Sequence, residues 1–205
     1  MKNVKKILLG VLIVVMAMCM SLSAFAAVKK GLVKKGGKYY YYKSGKMVKN
    51  TWKTVKKNRY YFGKNGAAYK AAKPFDGAYN VKICKIKGKK YGFDAKSHLV
   101  AGGTYVDDRS RIWVFTGKGR LDDAKTAELR SMFPADQISA DLYDRVITAF
   151  GEPATPVEYA QSCGGWNQDD SFKDVIITYK YFQVQLILNE TAKTYKFTGF
   201  FSVKA

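Results

Sequence analysis

The sequence predicts a mainly β molecule: stacked, solenoid-like β-hairpin repeats followed by a small α+β domain of two helices packed on a three-stranded antiparallel meander. Three observations predict it. First, a short aromatic triplet recurs four times, each followed four residues after its last member by a small residue: Tyr39-Tyr40-Tyr41 with Gly45, Tyr60-Tyr61-Phe62 with Gly66, Tyr91-Gly92-Phe93 with Ser97, and Trp113-Val114-Phe115 with Gly119. The triplet starts lie 21, 31 and 22 residues apart. A period near twenty means short units that cannot bury their own apolar faces and must stack. Second, the charge swings along the chain. Residues 27–121 carry 25 Lys/Arg against four acids, and residues 122–205 carry eight against twelve. Third, helical periodicity appears only after residue 121, with strand-like runs behind it.

The elements follow in order. Lys2, Lys5 and Lys6 precede an apolar run from Ile7 to Met18, and Ala24-Phe25-Ala26 offers small residues where a signal peptidase reads. Residues 1–26 are thus expected to be a signal peptide cleaved before Ala27. The run is too short for a stable transmembrane span. Bulky Met18 before Cys19 argues against a lipoprotein.

Lys38–Lys43, Arg59–Phe62, Lys90–Asp94 and Arg111–Phe115 are β-favouring runs, each closed by a turn signal such as Ser44-Gly45 or Asn65-Gly66. Upstream partners recur too: Leu32 seven before Tyr39, Trp52 eight before Tyr60, Tyr105 eight before Trp113. Residues 67–89 hold no clear aromatic pair and read as a longer connection into a strand Tyr79–Ile86. Strand alternation places the first and third triplet members toward the core. It leaves the middle ones, Tyr40 and Tyr61, exposed.

Residues 122–133 read as a helix stopped by Pro134, with Asp122 and Asp123 in its first turn. Ser139 reads as the cap of a second helix whose Leu142, Val146 and Phe150 share a face, and Gly151 and Pro153 end it. Three strands follow, Val175–Tyr181, Gln183–Leu188 and Tyr195–Val203.

The charge balance bounds the partners. The whole chain carries a formal net charge of +20. For an exported protein such a basic half meets anionic envelope polymers rather than nucleic acid, and any such contact weakens with salt. No metal site is expected, because His98 is the single histidine and Cys84 and Cys163 lie far apart. Those two cysteines are either bridged or separately buried.

The triplet pattern, with Thr51-Trp52, Tyr60-Tyr61-Phe62 and Gly66 as its fullest copy and Tyr91-Gly92-Phe93-Asp94 keeping an acid after the triplet, resembles the choline-binding and glucan-binding type of cell-wall-binding repeats of Gram-positive surface proteins. The resemblance covers roughly residues 31–121. It implies stacked hairpins with ligand contacts made by aromatic residues of neighbouring hairpins. Leu32 and Tyr105 stand where tryptophan is usual in that family, and lysines crowd the surface. A quaternary ammonium needs several electron-rich ring faces and is repelled by lysine. The expected partner is therefore an anionic wall polymer or glycan, met by Tyr40, Trp52, Tyr61, Tyr105, Trp113, Lys38, Lys57 and Arg59. The run from Ala149-Phe150-Gly151-Glu152-Pro153 into three strands resembles small helix-plus-meander domains of exported bacterial proteins, of the outer-membrane assembly lipoprotein and β-lactamase-inhibitor-like kinds. That implies a partner-binding surface on residues 122–205.

No catalytic motif stands out. His98 with Cys163 and Lys173 has the residue types of a thiol transpeptidase, and Glu152, Glu158, Asp169 and Asp170 are loop acids. A repeat-turn histidine and solvated loop acids are the plainer readings. Cys163-Gly164-Gly165-Trp166 reads as a tight turn around a packed tryptophan, or as a protein-contact loop. No catalytic residue and no cofactor is assigned. The expected molecule is a non-catalytic, secreted surface protein of the cell wall. The alternatives are a secreted inhibitor or adaptor that uses its repeats only as scaffold, and a wall-modifying enzyme.

Overall fold

The computed structural model describes residues 29–74, 77–162 and 171–204. The signal segment, the pairing of Cys84 with Cys163, and the Cys163–Trp166 loop with Asp169 and Asp170 lie outside the described residues. The fold is mainly β, built of short antiparallel hairpins with two helices. No described helix is long and apolar enough to cross a membrane.

Four hairpins come first. The first is a three-stranded unit, β1 (Gly31–Lys35), β2 (Lys38–Lys43) and β3 (Lys46–Met47). The others pair β4 (Thr51–Val55) with β5 (Asn58–Phe62), β6 (Val81–Ile86) with β7 (Lys89–Asp94), and β8 (Gly103–Val106) with β9 (Ile112–Phe115). The upstream partners fall cross-strand from the triplets: Leu32 opposite Tyr41, Trp52 opposite Tyr61, and Tyr105 opposite Trp113.

The small residue after each triplet has a specific task. Gly45, Gly66, Ser97 and Gly119 have φ of +77°, +77°, +68° and +76°. Glycine enters this left-handed region without steric cost. In the last three units the turn residue donates its N–H to the carbonyl three residues back, of Gly63, Asp94 and Thr116. The chain then runs back beside its own triplet, bridging Phe62 to Ala68, Phe93 to Leu99 and Phe115 to Leu121. Those same residues tie each hairpin to the one before it. Ala68 donates to the Tyr39 carbonyl, Leu99 to Arg59 and Leu121 to Lys90.

Stacking covers both faces of a middle hairpin. Tyr60 and Phe62 pack with Leu32, Tyr39 and Tyr41 of the first unit. Tyr61 and Trp52 pack with Tyr91 and Phe93 of the third. The third hairpin's other face carries Val81, Ile83 and Gly92. Gly92 has no room for a side chain, because a Cβ there would come within 2.5 Å of the Phe115 ring and 2.6 Å of Val100. The exposure expected of Tyr61 is therefore corrected: it is only 7% exposed. Alternation assumes one core face and one solvent face, and an interior hairpin of a stack has two core faces.

Helices α1 (Asp123–Met132) and α2 (Leu142–Phe150) follow. Asp122 caps α1 by accepting from the Lys125 backbone N–H at 3.0 Å. Ser139 is not the cap expected for α2. It lies in a short strand, β10 (Ile138–Ser139), opposite Tyr195, and Asp141 occupies the capping position. The sheet has five strands rather than three. β11 (Glu158–Gln161), β12 (Phe172–Thr178), β13 (Phe182–Asn189) and β14 (Thr194–Ser202) join β10 in the order β10-β14-β13-β12-β11. The expected meander is its centre, and the two additions are short edge strands too brief to carry a periodic signal. Val175, Ile177, Val184 and Leu186 alternate inward, Phe197 and Phe200 join them across a register shift in β14, and together they meet Phe133, Leu142 and Val146 of the helical segment. Packing runs across the charge step at 121/122. Val106 and Ile112 of the fourth hairpin belong to that same core.

Candidate functional site

Trp52 sits where the second hairpin meets the third. Its ring is edge-on to Tyr61 and Tyr91, with centroids 5.1 and 5.0 Å away, and stacked on Phe93 at 5.9 Å. The Arg59 guanidinium lies over it, 4.5 Å from the ring centroid. Arg59 is two registers diagonal to Trp52 on the neighbouring strand, so both side chains leave the same face. The position that a ligand cation would take is filled by the chain's own cation.

Trp113 repeats the arrangement. Guanidinium groups of Arg130 and Arg111 lie 4.4 and 5.4 Å from its ring. Arg130 also donates to the Ile112 carbonyl at 2.8 Å, which fixes its guanidinium. The indole Nε1–H donates to the Asp107 carboxylate at 3.0 Å. Asp107 also accepts from the Arg111 side chain at 2.8 Å and from the backbone N–H groups of Arg109 and Arg111, both at 3.0 Å. Burial alone raises this carboxyl's pKa. The hydrogen bonds outweigh burial and hold it below the usual carboxylate range. Tyrosines follow suit with lysines: Lys53 over Tyr41, Lys34 over Tyr39 and Lys29 over Tyr42, each within 5.7 Å of the ring centroid.

The residues expected to meet a ligand therefore separate. Trp52, Tyr61 and Arg59 come together at one junction. Trp113 and Tyr105 pair in the fourth hairpin. Tyr105 is 3% exposed, stacked on Tyr181 at 4.5 Å, and its hydroxyl donates to the Ala101 carbonyl. Burial pushes that hydroxyl well above its ordinary pKa, so it stays protonated. Tyr61 and Tyr105 consequently have no face to offer. Tyr40 is half-buried, its backbone bridged to Ala67. Lys38, Lys57 and Arg59 are exposed.

Sequence reasoning misses Asp107, Arg130 and Tyr181. The spacing Asp107, Arg111, Trp113 is the one local signal for the first; Arg130 and Tyr181 reach their rings from distant segments. Among the described residues no group of three or more histidines, cysteines and acids is placed to hold a metal ion. His98 lies 3.4 Å from the Asp94 carboxylate and edge-on to Tyr60, which makes it part of the second-to-third hairpin junction.

No protein-family model matches the chain, and no curated protein sequence matches it. Among solved structures the chain is similar to CbpJ from Streptococcus pneumoniae, at 17% identity and a TM-score of 0.36 over 46% of this chain and 28% of that one. It is similar to the choline-binding domain of another Streptococcus pneumoniae protein, at 20% identity and 0.36 over 47% of this chain and 99% of that one. It is also similar to truncated alternansucrase from Leuconostoc mesenteroides, at 16% identity and 0.35 over 76% of this chain and 11% of that one.

Proposed function

We propose that this is an exported, non-catalytic protein that binds the cell envelope. Residues 1–26 direct export. Residues 27–121 form a hairpin solenoid that holds an anionic wall polymer or glycan. Residues 122–205 form a small α+β domain that presents a surface to another protein. The observation that carries the reading is the guanidinium over each hairpin tryptophan. A ring stacked with the chain's own cation does not cage a quaternary ammonium. It holds a cation still, facing solvent, where phosphate or carboxylate groups meet it. Tyr40, Trp52 and Trp113 offer ring edges to sugars, and Lys38, Lys57 and Arg59 offer charge. Tyr61 and Tyr105 act from beneath, holding the tryptophan-bearing hairpins in place.

Retention of the full-length chain on purified Gram-positive walls tests this. Sodium chloride is expected to elute it, because exposed charge pairs are screened within about 10 Å at 0.1 M salt. Choline chloride at equal ionic strength is expected to do no better. Arg59→Ala is expected to elute at lower salt than the parent chain. Elution by choline where sodium chloride fails points to an ammonium cage and overturns the ligand class. Absence of retention leaves the inhibitor or adaptor reading, and a cleared zone on peptidoglycan overturns the non-catalytic one.

A further inference from the structure

The one long gap in the repeat, between the second and third triplets, builds a groove. Its described parts, residues 67–74 and 77–80, are tied to other elements: Tyr69 and Ala71 donate to the Tyr61 and Asp94 carbonyls, and Tyr79 to that of Val203. Lys70 Nζ donates to the Gly37 carbonyl at 2.9 Å in the first hairpin. The buried Asn80 amide donates to the Ala72 carbonyl at 3.1 Å, and its oxygen accepts from the Asp108 backbone N–H in the β8–β9 turn. Two cavities open along this strap. One, of about 320 Å³, is lined by Tyr69, Lys70, Lys82, Cys84 and Lys85. The other, of about 450 Å³, is lined by Asn80, Lys82, Asp108, Arg109, Arg111 and Trp113 among others. Lys82 lines both, so they adjoin.

The first cavity is lined by basic side chains, and the second sets Lys82, Arg109 and Arg111 beside Asp107 and Asp108. Among the described residues the first cavity is lined by three lysines and no acid, with the Lys70 ammonium held at its edge by the Gly37 carbonyl. Cys84 adds no charge there, because burial pushes its thiol above the ordinary range despite the nearby Lys82. Tyr69 is packed against Tyr61 and Phe93 and forms a firm wall. In the second cavity Asp107 is already satisfied by Arg111, Trp113 and backbone N–H groups. Asp108 is the other acid of that lining, beside Lys82 and Arg109. Like charges held around a cavity repel one another, and an anion relieves that repulsion.

We propose that this groove is the path of a linear phosphodiester polymer, with successive phosphates lying first among Lys70, Lys82 and Lys85 and then beside Arg109. The inference rests on the envelope-binding reading; it names the ligand class and adds a site that shares Trp113 with the surface carrying Tyr40, Trp52 and Arg59. A polymer fits better than a membrane, because the charges line two adjoining hollows rather than a flat face. Phosphodiester fits better than carboxylate, because lysines act as point charges, and the one guanidinium fork well placed for a carboxylate, on Arg111, is engaged with Asp107.

Calorimetric titration of the full-length chain with soluble poly(glycerol phosphate) tests it, alongside polygalacturonate and phosphatidylglycerol vesicles. Lys82→Ala and Lys85→Ala are each expected to weaken polymer binding about fivefold, as for a basic residue at an anionic surface. The double variant should weaken it about 25-fold if the two act independently. The slope of log affinity against log salt should fall by roughly one for each lysine removed. Lys193→Ala, an equal charge loss on an exposed turn of the β-sheet end, should stay within about twofold, and Lys82→Arg should keep most of the affinity. Unchanged binding by the double variant, with walls still retained, overturns the groove and spares the envelope reading. Failure of the parent chain to bind either polymer or walls removes both. Polygalacturonate binding as tightly, or vesicles binding more tightly, overturns the phosphodiester polymer.

Discussion

At the scale of single residues, Asp107 decides more than its position in a basic half announces. Its side chain is 3% exposed and gathers donors from Arg111, Trp113 and two backbone N–H groups. It thereby fixes the indole on which Arg111 and Arg130 lie. The folded carboxyl titrates below the usual range, and the unfolded one near 3.9. Its stabilisation is therefore complete above about pH 4 and is lost as pH falls through the folded value. Asp107→Asn keeps the shape but turns an amide N–H₂ toward a donor. At pH 7 it is expected to lower stability by about 2–4 kcal/mol, the range for removing one side of a buried charged network. Urea unfolding of parent and variant at pH 7 and pH 3 checks this. The gap should narrow at pH 3, and a gap independent of pH would show that the charge is not its source. In the sequence Asp107 is one of a few acids among many lysines, and nothing local says that it is buried. The tryptophans are legible as site residues; the guanidinium groups standing on them are only partly so. Arg59 lies seven residues from Trp52, but Arg130 approaches Trp113 from a helix.

At the scale of the hairpin, the turn after each triplet is the most legible feature, because its chemistry is local. A left-handed φ favours glycine, and glycine holds it in three of the four turns. The recurring spacing of four is enough to reveal that preference. What the spacing does not reveal is why the third turn has serine. A Cβ on Gly66 would come within 2.6 Å of the Met47 sulfur, and one on Gly119 within 2.7 Å of Leu99 and 2.9 Å of the Val100 carbonyl. Met47 and Leu99 each lie six residues past the preceding triplet. The equivalent residue before Ser97 is Ala68, the smallest of the three, which leaves room for a side chain. Ser97 is fully buried, and among the described residues its hydroxyl has no hydrogen-bond partner. Ser97→Gly relieves both the φ of +68° and the unpaired hydroxyl. It is expected to stabilise the chain by about 1 kcal/mol, a few degrees in Tm. Gly119→Ala does the reverse against a backbone carbonyl that cannot move aside, and is expected to destabilise by roughly 2–3 kcal/mol. Thermal melts of the two variants should shift in opposite directions. A lower Tm for Ser97→Gly would mean that the serine methylene packs better than the turn suffers.

At the scale of the whole molecule, the charge step and the packing do not coincide, and the fourth hairpin shows why. Its Tyr105 and Phe115 face the third hairpin. Its Val106 and Ile112 face the helices and the five-stranded sheet. Tyr79 and Tyr105 both pack on Tyr181, which lies just before β13, and the Tyr79 N–H donates to the Val203 carbonyl at 2.6 Å. Charge is a surface property and core is an interior one, so a sequence split by charge need not split where the core does. The helices, the central strands and the four hairpins are legible from period and turn chemistry. The sharing of one hairpin between two cores is not, because it depends on contacts between residues nearly a hundred positions apart. The consequence is measurable. A fragment ending at residue 121 keeps every triplet but uncovers Val106, Ile112 and one face of Tyr105. It is expected to bind the hydrophobic dye ANS and to melt below the full-length chain, because burial of a large apolar side chain contributes about 1.5–3 kcal/mol. Charge adds little to that difference. The ion pair across the step, Lys90 with Asp123 at 2.6 Å, is 48% exposed on the lysine side and 65% on the aspartate side, where such pairs contribute about 0–1 kcal/mol. If the fragment instead melts cooperatively at the full-length temperature without binding dye, the hairpins stand without the helices, and the apolar contacts at Val106 and Ile112 are incidental to their stability.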